Sequence, residues 1–335
     1  MGYGLPPMDK TYSTILTALR GAAGSISGEE LCQSLGTTRA ALWKQIQSLR
    51  GMGYVIDSAP RRGYRLASSP DTPYPWEVSP GLRTSRLGRV LEFHDSIVST
   101  NQRVAEAART GAPEGMVAVA DTQTGGRGRM GRTWHSPPGK NLYFSVLFRP
   151  PLPPYRGSEI SPVAAAALLR ALATVCPGLD VQWKWPNDVL IGGRKLSGIL
   201  CDMESEADRI AFLVVGIGVN VNSARSDFPT AITKVATSLA AESDQPVSRG
   251  QLMAAILNEF EAAYGQWLTE GLRPVLHELE KRSYLHGRTV TVETGGAALT
   301  GVVTGTSPQG GLRLRAADGR TVEVLSGDVH VRAIR

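Results

Sequence analysis

Apolar positions near the amino terminus recur at helical spacing. Ile15, Leu16 and Leu19 share one face of a first helix, and Leu42, Ile46 and Leu49 share one face of a later one. Between them Ser27 precedes residues 28–35 with Glu30 in capping-box spacing, and Gly36 supplies a stop. Thr37 is expected to cap the helix that follows, so the segment reads as helix, tight turn, helix. Residues 54–56 and 64–66 are short apolar runs around a loop, 57–63, that carries Arg61 and Arg62; they predict a hairpin. The stretch 67–75, rich in Ser and Pro, reads as a linker.

Beyond the linker the pattern changes. Strand-like runs at 116–121, 142–148, 181–185, 196–203 and 211–221 alternate irregularly with helical runs at 101–110, 162–175 and 251–268. The short spacing across 188–197, with Gly192-Gly193 at its turn, argues for antiparallel pairing and against a doubly wound parallel sheet. An α+β fold is expected, a central sheet with helices on one face. After Gly287 only strand patterns remain, at 289–293, 301–306, 312–316 and 321–325, with turns at Gly295-Gly296, 309–311 and Asp318-Gly319. A small SH3-like barrel is expected there. The resulting division is 1–67, a linker at 68–90, 91–286 and 287–335.

Composition narrows the class. With 335 residues, 42% of them hydrophobic and 20% charged, the chain is ordinary globular protein of two or three domains. Residues 1–10 lack the pattern of a secretion signal, and the apolar helical run 163–175 is short and broken by Arg170, so a soluble cytoplasmic protein without a membrane partner is expected. Cys32, Cys176 and Cys201 lack metal-ligand spacing and read as buried, reduced thiols. A net charge of +6 and a pI near 9.3 favour a phosphate-bearing partner. Between residues 11 and 66, Arg20, Arg39, Lys44, Arg50, Arg61, Arg62 and Arg65 face only Glu29, Glu30 and Asp57. The segment resembles a winged helix-turn-helix, and Arg39, Lys44, Arg61 and Arg62 are its candidate DNA contacts. Protein docking is the alternative use of such a module.

The chemistry concentrates in four places. Gly126, Gly128 and Gly131 satisfy a dinucleotide-binding pattern, but Pro137, Pro138 and Gly139 forbid the helix that must follow, and residues 142–148 lead to Arg149-Pro150-Pro151 where an acid is required. What remains is a glycine loop holding Arg127, Arg129 and Arg132 before Trp134: close backbone approach and planar cations, suited to an oxyanion-rich ligand. Lys184-Trp185-Pro186-Asn187-Asp188 and Arg194-Lys195-Leu196-Ser197-Gly198 place two lysines, an amide and a carboxylate near one hairpin. Ammonium groups and a carboxylate-held Mg2+ are common partners of a reacting phosphate. Gly216 to Asn222, GIGVNVN, ends an apolar strand with room for a flat ring or a bulge. Ser99-Thr100-Asn101 reads first as a helix cap, with hydroxyls and an amide to spare for a small polar ring. No nucleophile elbow, Walker loop or metal cluster appears, and the five histidines read as structural.

In this order, Ser99-Thr100-Asn101, Gln123, GRGRMGRTW, KWPND, RKLSGIL and GIGVNVN resemble the biotin protein ligase family, and with the amino-terminal winged helix its bifunctional ligase and repressor form. The resemblance implies a class II synthetase-like central domain. It implies ATP-dependent formation of biotinyl-adenylate and transfer of biotin to a lysine of a biotin carboxyl carrier protein. It further implies binding of operator DNA, with a homodimer when adenylate is bound. By the same resemblance Ser99, Thr100, Asn101, Gln123, Arg127, Gly128, Arg129 and Lys195 would hold biotin. Arg129, Arg132, Trp134, Lys184, Asn187 and Asn220 would hold the nucleotide, and Asp188 would hold Mg2+. Arg129, Lys184 and Lys195 would be the catalytic residues, and the loop near 125–134 would close over the adenylate. Met130 stands at a variable position where an additional basic residue can occur in relatives. A biotin-responsive regulator without catalysis, and a lipoate-attaching relative, are the alternatives.

Overall fold

The computed structural model describes residues 10–59, 62–294 and 297–331, so Arg61 and the expected Gly295-Gly296 turn lie outside the described residues. Helices α1 (Lys10–Gly21), α2 (Gly28–Leu35) and α3 (Arg39–Gly51) pack with the hairpin β1 (Val55–Ala59) and β2 (Gly63–Ser68) around Ile15, Leu31, Leu42 and Ile46. The capping box forms as expected: Ser27 Oγ accepts the Glu30 N–H at 3.1 Å while Glu30 accepts the Ser27 N–H at 2.9 Å. Gly36 takes the left-handed conformation that ends α2. Thr38, not Thr37, caps α3: its hydroxyl accepts the Ala41 N–H at 3.3 Å, while the Thr37 N–H closes the end of α2 on the Cys32 carbonyl. Arg50 donates to the Ile56 carbonyl and so pins α3 to the hairpin.

The segment expected as a linker contains α4 (Pro75–Val78) and is buried from Pro73 to Trp76 and at Val78. Tyr74 stacks on Trp76 at 4.9 Å and meets Phe93 edge-on at 4.6 Å. The Trp76 indole donates to the Tyr54 hydroxyl, which donates to Glu77, and Arg20 forks onto the same carboxylate. Aromatic burial and one shared carboxylate thus join the winged helix to the next layer.

That layer comprises β3 (Leu91–Ile97), α5 (Thr100–Arg109), β4 (Val117–Gln123), β5 (Leu142–Phe148), α6 (Ile160–Val175), β6 (Val181–Lys184), β7 (Asp188–Ile191), β8 (Arg194–Ser205), β9 (Ile210–Val219), α7 (Leu239–Ser243), α8 (Arg249–Glu270) and α9 (Arg273–Glu280). Its seven strands run β3-β4-β5-β9-β8-β7-β6; β3 and β4 are parallel and the other neighbours antiparallel. The expectation of helices on one face is corrected. Long helices α6 and α8 cover the face bearing Val117, Val119, Val146 and Phe148, whereas α5 covers the opposite face through Val104, Ala107 and Ala108 on Ala118, Leu147 and Val214. Burial of β5 at every position required this second cover. The helical run is also longer than expected: Pro154–Val175 has the length and composition of a membrane span, yet α6 is buried against α8 as a core helix.

The last unit is a five-stranded antiparallel sheet of β10 (Thr289–Thr294), β11 (Ala297–Thr306), β12 (Leu312–Arg315), β13 (Thr321–Val324) and β14 (Asp328–Val331), ordered β13-β12-β11-β10-β14. Val290, Val292, Leu312, Leu314 and Val329 form its buried side. The Trp185 indole donates to the Gly310 carbonyl at 2.8 Å and ties this sheet to the central one.

Candidate functional site

A cavity of about 350 Å³ opens on the α5 side of the central sheet. Its floor follows from the β9 sequence. Positions facing α5 run Phe212, Val214, Gly216, Gly218, so the side chains vanish where the cavity begins. On the neighbouring strand Gly198 pairs with Gly218. A Cβ on Gly216 would stand 2.0 Å from Asn101 Oδ1, and one on Gly218 would stand 2.6 Å from the Trp134 ring. Gly216→Ala is therefore expected to push Asn101 off its contacts with Ser145 and Asp202, and so to disturb Thr100 and weaken binding of the expected ligand, biotin, by about tenfold or more. Calorimetry with biotin alone checks this, and an unchanged affinity would argue against the glycine floor.

Every candidate from Ser99 to Asn220 named above lines this one cavity. At its polar end Ser99 Oγ caps α5 by accepting the Gln102 N–H. The Thr100 N–H, an orphan donor of the first helical turn, goes to Gln123 Oε1 at 2.8 Å. Asn101 is buried, with its Nδ2 donating to Asp202 at 2.7 Å and to the Leu200 carbonyl at 3.3 Å.

The opposite end is cationic. Arg127 and Thr133 bridge the two arms of the glycine-arginine loop, the Gly128 N–H bonds the Arg132 carbonyl at 2.7 Å, and the Trp134 N–H bonds Gly126. At the loop tip Met130 is exposed and left-handed (φ 56). Arg129 donates to Asn187 Oδ1 at 3.2 Å, and Arg132 pairs with Asp328 of β14. Lys195 Nζ lies 2.7 Å from Asp188 and 5.4 Å from the Trp134 ring centre. Lys184 on β6 and Lys195 on β8 reach the cavity from either side of β7. Burial lowers the Lys184 pKa, Asp188 opposes that shift, and Lys195 adds to it. The Asn220 amide is committed to the Thr237 and Lys195 carbonyls, which holds the segment carrying Val235 and Ala236 against the site.

Several cavity residues escaped sequence reasoning. The glycines of GIGVNVN, expected to leave room for a flat ring or to form a bulge, line the cavity at Gly216 and Gly218, whereas β14 with Asp328 and His330 was not anticipated. His135, expected to be structural, also lines the cavity; its Nε2 and the Trp134 indole nitrogen are buried without a hydrogen-bond partner among the described residues. Arg249, 2% exposed, was missed entirely: it spans from Asp71 to Asp121 and the Asn141 carbonyl behind the site. Of the cysteines only Cys176 is buried; Cys32 and Cys201 are half-buried.

Fold and site together define a ligase architecture joined to a helix-turn-helix. The Biotin/lipoate A/B protein ligase family matches residues 93–221, an HTH domain matches 12–65, and the Biotin protein ligase C terminal domain matches 285–332. The chain is 36% identical over 326 residues to the bifunctional ligase/repressor BirA of Bacillus spizizenii, covering 97% of this chain and 100% of that protein. Against the protein of the same name from Escherichia coli it is 31% identical over 332 residues, covering 97% and 98%. The biotin protein ligase from Aquifex aeolicus in complex with biotin and ATP superposes with a TM-score of 0.63 at 28% identity, covering 72% of this chain and 98% of that one. The chain belongs to the biotin protein ligase family.

Proposed function

We propose that this protein activates biotin with ATP and transfers it to a lysine of a biotin carboxyl carrier protein. One observation carries the reading: a single cavity joins a polar end, able to read a small ring, to an end crowded with arginine and lysine. A biotin carboxylate oxygen would attack the α-phosphorus and pyrophosphate would leave. The acceptor amine would then attack the acyl carbon, lose a proton and release AMP. No enzyme nucleophile is needed, and positioning with charge stabilisation suffices. Lys195 would hold the carboxylate, Lys184 would face the charge growing on the α-phosphate, and Arg129 with Asn187 would fasten the loop over both. Arg127, Gly128, Arg132 and Trp134 would complete that cover, with Asn220 fixing the wall beside the nucleotide.

Mg2+ takes most of its oxygens from phosphate and water and needs few carboxylates, so Asp188 beside a bound triphosphate fits it. When bound, the ion would offset phosphate charge. Lipoate fits the polar end poorly, because its dithiolane offers neither N–H nor carbonyl to Thr100 and Gln123. Competition between biotin and lipoate for ATP-dependent adenylation tests this, and preference for lipoate would overturn it.

The winged helix would serve as an operator-binding element within the domain division 1–67, 91–286 and 287–335. Arg39, Lys44 and Arg62 are exposed, Arg39 in a loose surface pair with Glu29 at 3.6 Å, while Arg20, Arg50 and Arg65 are engaged with Glu77, the Ile56 carbonyl and Asp57. Arg39→Ala and Lys44→Ala are each expected to weaken DNA binding across sequences and to lower the salt dependence by about one unit, leaving ligation intact. Mobility shifts over a salt series with the chain's own biotin-synthesis promoter check this. Binding that depends on biotin and ATP would support an adenylate-bound homodimer on two half-sites. Three free cysteines suit a reducing cytoplasm.

A further inference from the structure

We propose that Ser145, outside the cavity lining, sets the direction in which the polar end reads its ligand, acting through Asn101 and Thr100. The inference rests on the biotin reading above and names what orients it. Ser145 sits on β5, fully buried, with its hydroxyl 2.6 Å from Asn101 Oδ1 and 2.7 Å from the Thr100 hydroxyl.

A hydroxyl carries one hydrogen, so both contacts cannot be donations from Ser145. The partners decide between them. Asn101 presents its amide nitrogen to two groups that only accept, the Leu200 carbonyl and the Asp202 carboxylate. Its oxygen is thereby turned to Ser145, and an amide oxygen only accepts. Ser145 must donate to Asn101, and the Thr100 hydroxyl must donate to Ser145. Distance agrees: the competing Thr100 contact, to Gln123 Oε1, is 3.2 Å, beyond the usual 2.5–3.0 Å or so of a hydroxyl donor.

Thr100 Oγ1 therefore faces the cavity with lone pairs and no hydrogen. Gln123 is polarised oppositely, because its oxygen is held by the Thr100 N–H and its amino group is left as a donor. Acceptor beside donor matches an N–H next to a carbonyl, the pattern of a cyclic urea. Ser145 and Asn101 are positioning residues of this relay, and Asn101 reads the ligand through Thr100, its own amide hydrogens being spent on the protein.

Calorimetry on the full chain tests this with biotin and with a cyclic carbamate analogue in which ring oxygen replaces the ureido N–H. The wild type should bind biotin and reject the carbamate. Ser145→Ala frees the Thr100 hydrogen to point into the cavity, so biotin affinity should fall by about tenfold or more. The preference for biotin over the carbamate should narrow by a similar factor, with the KM for ATP unchanged. Ser145→Cys, a weak donor in the same space, should give the same narrowing and guards against a variant that fails to fold. Folded variants that keep the wild-type preference, or lose both ligands in proportion, overturn the relay. A wild type that binds no biotin would instead overturn the functional reading beneath it.

Discussion

Lys184→Met is expected to slow biotinyl-adenylate formation by about 100- to 1000-fold, the cost of removing one preorganised charge from a phosphoryl transition state. The methionine fills the half-buried space without the ammonium. Burial already lowers the Lys184 pKa, partly opposed by Asp188 and reinforced by Lys195. A lysine lowered in this way is cationic below its folded pKa and loses its charge as pH rises through it. The alkaline limb of kcat/KM for ATP should therefore begin below the ordinary lysine range. Lys184→Arg, which keeps its charge, should abolish that limb while retaining part of the rate. Pyrophosphate exchange across a pH series measures both, and a limb that survives in Lys184→Arg would assign the titration elsewhere.

Arg129→Gly should slow adenylation far less than Lys184→Met and chiefly loosen retention of the product, which makes Arg129 a residue of the lid more than of the chemical step. The Arg129 guanidinium ties the loop to the β6–β7 turn through Asn187, and left-handed Met130 at the tip holds little else. A hydrogen bond to a charged group is worth about 1.5–3 kcal/mol, so release of biotinyl-adenylate should quicken by roughly 10- to 150-fold. Free adenylate should accumulate, and bystander proteins should become biotinylated on lysine. Retention and self-labelling equal to wild type would argue against the loop as a lid.

Much of this was legible in the chain because local rules and tertiary structure agree. The capping box at Ser27 and Glu30, the stop at Gly36 and the largely apolar, fully buried β5 formed as their residues dictate. The candidate site was legible because glycine, arginine and lysine recur in short motifs that tertiary structure then gathers into one cavity. What stayed hidden depends on partners far apart in sequence. The helix α5 crossed to the second face of the sheet, and β14 brought Asp328 to Arg132. Arg249 carried no motif in the sequence, and its role follows only from Asp71 and Asp121, which enclose it. Ser145 gave no signal, since its value lies in the two oxygens it stands between.

The central claim is that one cavity adenylates biotin and passes it to a protein lysine. Incubating the folded full chain with biotin, ATP, Mg2+ and a biotin carboxyl carrier domain, then probing with streptavidin, tests it most directly. Carrier labelling that needs both ATP and the carrier's acceptor lysine is expected; no labelling by folded protein that binds both substrates would overturn the functional reading.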